Sequence, residues 1–243
     1  MKAQQSLTFR FDPCTTPVAA SERAARLVDP GFGRVFTDHM ALIRYSDEQG
    51  WHDAQITARV PLSVDPAASV LHYAQEIFEG MKAYRLADGG TALFRPEANA
   101  RRFQDSARRM AMPELPEDMF LESVERLVEV ERDWIPEQDG GALYLRPFMF
   151  ASEVFLGVKP SAEYLYMVIA SSVGAYFKGG APAVSIWVSQ GYTRAAPGGT
   201  GLPSAAATMP PACSRRRKRS PMAATRWCSS TRSSAAGSRN WAA

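Results

Sequence analysis

Leu71-His72-Tyr73-Ala74-Gln75-Glu76-Ile77-Phe78-Glu79-Gly80-Met81-Lys82-Ala83-Tyr84-Arg85 mixes aromatic residues with one glycine and charges. Residue chemistry alone reads it as a strand entering a packed hairpin. Its end supports this, because Met81 to Leu86 and Thr91 to Arg95 are β-favouring and are joined through Ala87-Asp88-Gly89-Gly90. Upstream, Phe36 to Tyr45 and Trp51 to Leu62 flank Ser46-Asp47-Glu48-Gln49-Gly50, which predicts another hairpin. Side chains alternate along such strands, so half of them can face a site.

Downstream the period changes. Pro96 opens a stretch to Met110 with few breakers, and proline suits a first helical turn. From Glu117 to Arg132, Phe120, Val124, Leu127 and Val128 recur at helical spacing, which predicts a helix that buries one face. Strands return at Ala142 to Phe150, Tyr164 to Ala170 and Val184 to Ser189. The glycine-rich run Val173 to Gly180 reads as a connection between domains. The fold class is therefore α+β. Residues 1–176 are expected to form a small domain, 177–201 to lead into a larger one, and 202–243 to be an irregular, disordered tail.

The charge distribution separates that tail from the body. The net charge of 243 residues is +3, yet 202–243 carry eight basic residues and no acid, leaving 20 basic against 25 acidic residues in the first 201. The longest apolar run, Tyr164 to Ala170, is far too short to span a membrane, and the opening residues have no signal-like apolar core. A cytoplasmic protein is expected. Cys14, Cys213 and Cys228 have no metal-ligand spacing and predict neither a metal site nor a disulfide framework.

The 71–85 run resembles the segment that lines the substrate pocket of branched-chain amino acid aminotransferases, pyridoxal-phosphate enzymes of the class IV fold. Four further strings agree in order: Phe32-Gly33-Arg34-Val35-Phe36-Thr37-Asp38-His39-Met40, Leu93-Phe94-Arg95-Pro96 with Arg102, Leu143-Tyr144-Leu145-Arg146-Pro147, and Arg194-Ala195-Ala196-Pro197-Gly198-Gly199-Thr200-Gly201. The resemblance implies that the 1–176 unit is the small N-terminal domain of that fold and that the cofactor is pyridoxal 5'-phosphate. It also implies that Arg102 holds the cofactor phosphate, a fixed cation suited to a dianion, and that Arg194 helps to position the cofactor. Tyr144 and Arg146 are implied near the substrate carboxylates, with Arg146 taking the side-chain carboxylate of glutamate or 2-oxoglutarate. Phe32, Tyr73, Phe78, Val158 and Tyr176 would wall the pocket for leucine, isoleucine or valine. Some of these walls come from the partner subunit in the family, so a homodimer is implied. Without the resemblance, Arg102 is a solvated helix charge beside Arg101, Arg108 and Arg109, Arg146 is a strand arginine equally suited to a surface ion pair, and the aromatics are ordinary core. His39 and His72 read as packing residues.

One family element is missing from this sequence. In the family the lysine that carries the cofactor follows Gly-Gly-Thr-Gly by about three residues, within a string of the form alanine, lysine, cysteine, glycine, glycine, asparagine, tyrosine. Here Leu202-Pro203-Ser204-Ala205-Ala206-Ala207-Thr208-Met209-Pro210-Pro211 follows, with serine at 204. A slip of reading frame accounts for this. Permitted codons for Leu202 to Pro211, regrouped from the last base of the leucine codon, translate as AKCGGNYAA, which is the family's string. The same shift applied to Arg226 to Trp241 yields a sensible strand, turn and strand.

The resemblance thus implies a transaminase of branched-chain L-amino acids and 2-oxoglutarate, and the chain as written is expected to be inactive. Class IV relatives acting on D-amino acids or aminodeoxychorismate fit the Phe78 to Tyr84 and Tyr144 to Pro147 pattern less well. A binding module using Arg215 to Arg219 on nucleic acid is the alternative from another class. The acidic body and the lack of a recognition fold argue against it.

Overall fold

The computed structural model describes residues 7–175, 186–189, 205 and 226–229. In chain order the elements are β1 (Arg10–Phe11), α1 (Ala20–Leu27), β2 (Val35–Phe36), β3 (His39–Ser46), β4 (Gly50–Ala58), α2 (Ser69–Tyr73), β5 (Glu76–Phe78), β6 (Met81–Arg85), β7 (Thr91–Leu93), α3 (Pro96–Arg109), α4 (Glu117–Val130), a 3-10 turn (Arg132–Trp134), β8 (Ala142–Ala151), β9 (Glu163–Val173), β10 (Ile186–Ser189) and β11 (Arg226–Ser229). The architecture is α+β, as the sequence predicts. Nine strands form one sheet in the order β1-β4-β3-β9-β8-β6-β7, with β2 also pairing β9 and β5 also pairing β8.

Two different environments cover the two faces of this sheet. On β8, Leu143, Leu145, Met149 and Ala151 belong to the main core, whereas Tyr144, Arg146 and Phe148 on the alternate phase are only partly buried. Helices α3 and α4 supply the cover for the first face. Helix α3 buries Ala100, Phe103, Ser106 and Ala107, and α4 buries Met119, Phe120, Ser123, Val124, Leu127 and Val128, each set at helical spacing. Phe103 meets Phe120 and Tyr166 at ring-centroid distances of 5.5 Å each. Ser123 satisfies the buried Tyr166 hydroxyl at 2.9 Å and itself donates to the Phe120 carbonyl at 2.7 Å. The second face carries a smaller apolar cluster of Met40, Leu42, Phe150, Leu165 and Met167, with Phe148 and Ile169 packed against it.

Both expected hairpins form, the first as β3 and β4 and the second as β6 and β7. Helix α4 stops at Val130 because the chain tightens into the 3-10 turn, which buries Trp134 against the core. Helix α3 begins after Arg95 in the left-handed region, at φ 50°, with proline in its first turn. Among the elements that the sequence does not delimit are α1, α2 and β5. Both helices are short, and β5 is split from β6 by chemistry on the neighbouring strand. Phe78 lies opposite Phe148 and Met81 opposite Leu145, so the register runs on through Glu79 and Gly80. Glu79 N–H donates to the Pro147 carbonyl at 2.7 Å, but Pro147 has no N–H to return, and the ladder is interrupted there.

His39 does more than pack. Its Nδ1 lies 2.6 Å from Glu131 Oε1, and its Nε2 accepts from Cys14 N–H at 2.8 Å, tying the N-terminal segment to the end of α4. Burial pushes the Glu131 carboxyl above its ordinary range, an effect that His39 partly opposes. Beyond Gly201, Ala205 is buried and bridged to Ile77, and β11 pairs in parallel with β10. The remainder of the expected connection and tail, with Tyr176 and Arg194, lies outside the described residues.

Candidate functional site

The register of β5 and β6 on β8 decides which side chains can meet. Phe78, Gly80 and Lys82 share a face with Phe148, Arg146 and Tyr144, because directly opposed residues of an antiparallel pair project to the same side. On this face Arg146 Nη2 donates to the Tyr144 hydroxyl at 2.6 Å, and its guanidinium carbon lies 4.6 Å from the centre of the Phe78 ring and 5.4 Å from that of Tyr144. Phe32, from the segment before β2, closes the group with its ring 5.2 Å from that of Tyr144. Arg146 Nε is buried with no partner among the described residues. Glu76 stands in the same phase. Burial pushes its carboxyl above the ordinary range, and the Arg146 charge pulls it back only in part.

Arg102 approaches from the other side of the sheet. Ile77, Glu79, Met81 and Ala83 form the inward phase of β5 and β6, and all four are buried. Glu79 is thus a carboxylate in an apolar row, and α3 supplies its partners: Arg102 Nε and Nη2 donate to its two oxygens at 2.6 Å each, and Asn99 Nδ2 donates at 2.8 Å. Donating to Glu79 raises the pKa of Arg102 further and keeps it a cation. Gly80 joins the two halves. Its N–H reaches Glu79 Oε2 at 3.4 Å, its carbonyl accepts from Asn99 at 3.4 Å, and Tyr144 lies over its Cα on the opposite face.

Tyr73 reaches the segment that follows β8 and carries Val158. Tyr73 ends α2, where Ala74 turns left-handed at φ 52°, and its hydroxyl donates to the Leu156 carbonyl. Val158 is 90% exposed on the loop after β8, near Val154 and Leu156, which are also exposed. That loop is held by Lys159, which donates to Glu153 at 2.8 Å, and by Ala162 N–H on the same carboxylate at 2.7 Å.

Of the residues singled out in the sequence, the structure gathers Phe32, Phe78, Tyr144 and Arg146. It places Arg102 across Gly80 from them, and Tyr73 and Val158 apart. The sequence reading missed Glu79, Gly80, Asn99 and Glu76. A signal for Glu79 was present: an acid in phase with Ile77, Met81 and Ala83 would be buried if the strand began before Gly80. Among the described residues no group of His, Cys, Asp or Glu is arranged to hold a metal ion, and no helix is long and apolar enough to cross a membrane.

No protein-family model matches the chain. It is similar to curated proteins: 57% identical over 195 residues to the probable branched-chain-amino-acid aminotransferase of Streptomyces coelicolor, covering 80% of this chain and 54% of that protein. The branched-chain-amino-acid aminotransferase of Mycolicibacterium smegmatis is 55% identical over 196 residues, covering 80% and 53%. The chain therefore spans about half the length of the curated relatives it matches. Among solved structures, the T.th. branched-chain amino acid aminotransferase with pyridoxamine 5'-phosphate aligns at TM-score 0.57 and 22% identity, over 73% of this chain and 55% of that one. The Escherichia coli branched-chain amino acid aminotransferase aligns at TM-score 0.53 and 21% identity, over 74% and 56%. These two likenesses establish the shared fold, and over 80% of its length this chain is similar, at 55–57% identity, to curated proteins named branched-chain-amino-acid aminotransferases.

Proposed function

We propose that the described residues form the substrate-recognising half of a transaminase site that moves an amino group between leucine, isoleucine or valine and 2-oxoglutarate. The observation that carries this reading is the Tyr144–Arg146 pair, held at 2.6 Å between the Phe32 and Phe78 rings. It sets a cation and a hydroxyl beside apolar walls, which suits ligands with carboxylates and branched aliphatic side chains. Arg146, with Nε unpartnered, takes the second carboxylate of 2-oxoglutarate or glutamate.

Pyridoxal 5'-phosphate is the cofactor that this reading requires. The residues fit its anionic end, since Arg102 is a fixed cation whose side chain is 50% exposed. When bound, the cofactor supplies the carbonyl that takes up the amino group and the electron sink that makes the substrate Cα proton acidic. Arg102 holds the phosphate, Arg194 helps to position the ring, and Phe32, Phe78 and Tyr176 exclude water. Tyr73 and Val158 complete the walls from the partner in a homodimer, a role that the exposed apolar residues around Val158 support. With serine at 204, the chain has no lysine to carry the cofactor and is inactive as written.

The test is repair. Restoring the frame at Leu202 and supplying the downstream sequence should give activity on all three branched-chain amino acids with 2-oxoglutarate. A repaired protein inactive on all three overturns the reading. The chain as written, treated with pyridoxal 5'-phosphate and borohydride, should label no single lysine; stoichiometric labelling of one, such as Lys82, would refute the inactivity.

A further inference from the structure

We propose that Glu79 is a positioning residue: it grips one edge of the Arg102 guanidinium so that the neighbouring edge is presented, in a fixed plane, to two oxygens of a bound phosphate. The proposal rests on the assignment of Arg102 to the cofactor phosphate and adds what makes that arginine competent.

A guanidinium has five N–H groups arranged on two usable edges, one formed by Nε and Nη2 and the other by Nη1 and Nη2. Glu79 occupies the first edge, with Nε on Oε1 and Nη2 on Oε2, both at 2.6 Å. The Nη1–Nη2 edge keeps one N–H of each nitrogen without a protein partner among the described residues, and the Arg102 side chain is 50% exposed. Its two parallel donors match two oxygens of a phosphate.

The grip is stiff because the acid cannot move. The Glu79 side chain is 0% exposed, its backbone N–H is bonded to Pro147, and its carboxylate also accepts from Asn99 and Gly80. Asn99 and Arg102 are three residues apart on α3 and therefore project from one face toward the same acid. Two bonds to one planar group fix its plane as well as its position, which a lysine at 102 could not reproduce.

Electrostatics alone and positioning make opposite predictions. Glu79 cancels the Arg102 charge, so Glu79→Gln leaves a net cation and should tighten anion binding if charge were the whole role. If positioning is the role, the same change frees the guanidinium to rotate and weakens binding.

The experiment uses the 243-residue chain and two probes, inorganic phosphate and pyridoxal 5'-phosphate, followed by titration calorimetry and by NMR of the arginine Nε–H and Nη–H resonances, with that of Arg102 assigned by its loss in Arg102→Gln. In the unaltered chain, phosphate should shift the Arg102 Nη resonances and leave Nε–H in slow exchange. Glu79→Gln should weaken both probes at least tenfold, and should add nothing in an Arg102→Gln background, because Glu79 acts through Arg102. If Arg102→Gln leaves affinity unchanged, or phosphate shifts no Arg102 resonance, the assignment of Arg102 fails and this inference falls with it. If Arg102→Gln weakens binding while Glu79→Gln leaves it equal or tighter, the assignment stands and the positioning role is overturned. Should Glu79→Gln not fold, the unaltered chain decides: an Nε–H that exchanges freely, or moves with phosphate while Nη does not, refutes the proposal.

Discussion

Tyr144 occupies the space that a side chain at Gly80 would take: a Cβ there would run into the phenol hydroxyl, with the ring carbon Cζ 3.1 Å away. Gly80→Ala must therefore displace Tyr144 and with it the hydrogen bond from Arg146. A loss of about 1–3 kcal/mol in stability is expected, the usual cost of overpacking, measurable by thermal unfolding. Tyr144→Phe removes the nearest atom, so the double variant should regain part of the loss, and strictly additive losses would show that Tyr144 is not the obstacle.

Arg146→Ala in the frame-restored enzyme should slow the half-reaction with 2-oxoglutarate by roughly 10- to 100-fold more than that with leucine. A charge-assisted hydrogen bond is worth about 1.5–3 kcal/mol, and only 2-oxoglutarate brings a second carboxylate. Single-turnover measurement of each half-reaction separates them. Equal losses would remove that role from Arg146.

Ala74, which ends α2 and turns the chain toward β5, holds φ 52° and ψ 36° with its N–H on the Val70 carbonyl at 3.0 Å. A left-handed residue with a Cβ costs roughly 1–2 kcal/mol, and glycine's larger entropy loss returns about half of that. Ala74→Gly should raise stability by up to about 1 kcal/mol, or roughly 2–4 °C in Tm for a chain of this size. A lower melting temperature would contradict the strain at this position.

Burial pushes the Tyr164 hydroxyl up to about 12 and that of Tyr166 higher still. The folded protein keeps both protons after the unfolded chain has lost them near the ordinary value of 10. The stability they contribute is thus intact below pH 10 and is lost as pH rises from 10 toward 12. Tyrosinate absorbance and circular dichroism recorded together should show these two hydroxyls ionising only as the fold is lost. Titration of every tyrosine near 10 with the dichroism unchanged would contradict their burial.

Much of this fold is legible in the sequence because its signals are local. The 46–50 turn, Pro96 and the spacing of Phe120, Val124, Leu127 and Val128 each report on a neighbourhood of a few residues. What escapes is decided elsewhere in the chain. The break between β5 and β6 is caused by Pro147, and the burial of Glu79 is made tolerable by Asn99 and Arg102, twenty or more residues away. The same holds for the candidate site. Tyr144 and Arg146 stand two apart on one strand and could be paired from sequence, whereas the route from them to Arg102 runs through a glycine whose importance lies in the side chain it lacks.

The two-faced sheet separates the traits on which selection can act. A saturation screen for folded protein should map chiefly to the helix-covered phase, to positions such as Leu143, Leu145, Phe103 and Leu127. A screen for catalysis in the repaired enzyme should map to the alternate phase, at Phe78, Tyr144 and Arg146. The two sets of sensitive positions should overlap at Glu79 and Gly80, where a single codon change touches both faces, and a lineage drifting in substrate preference would be least free to vary there.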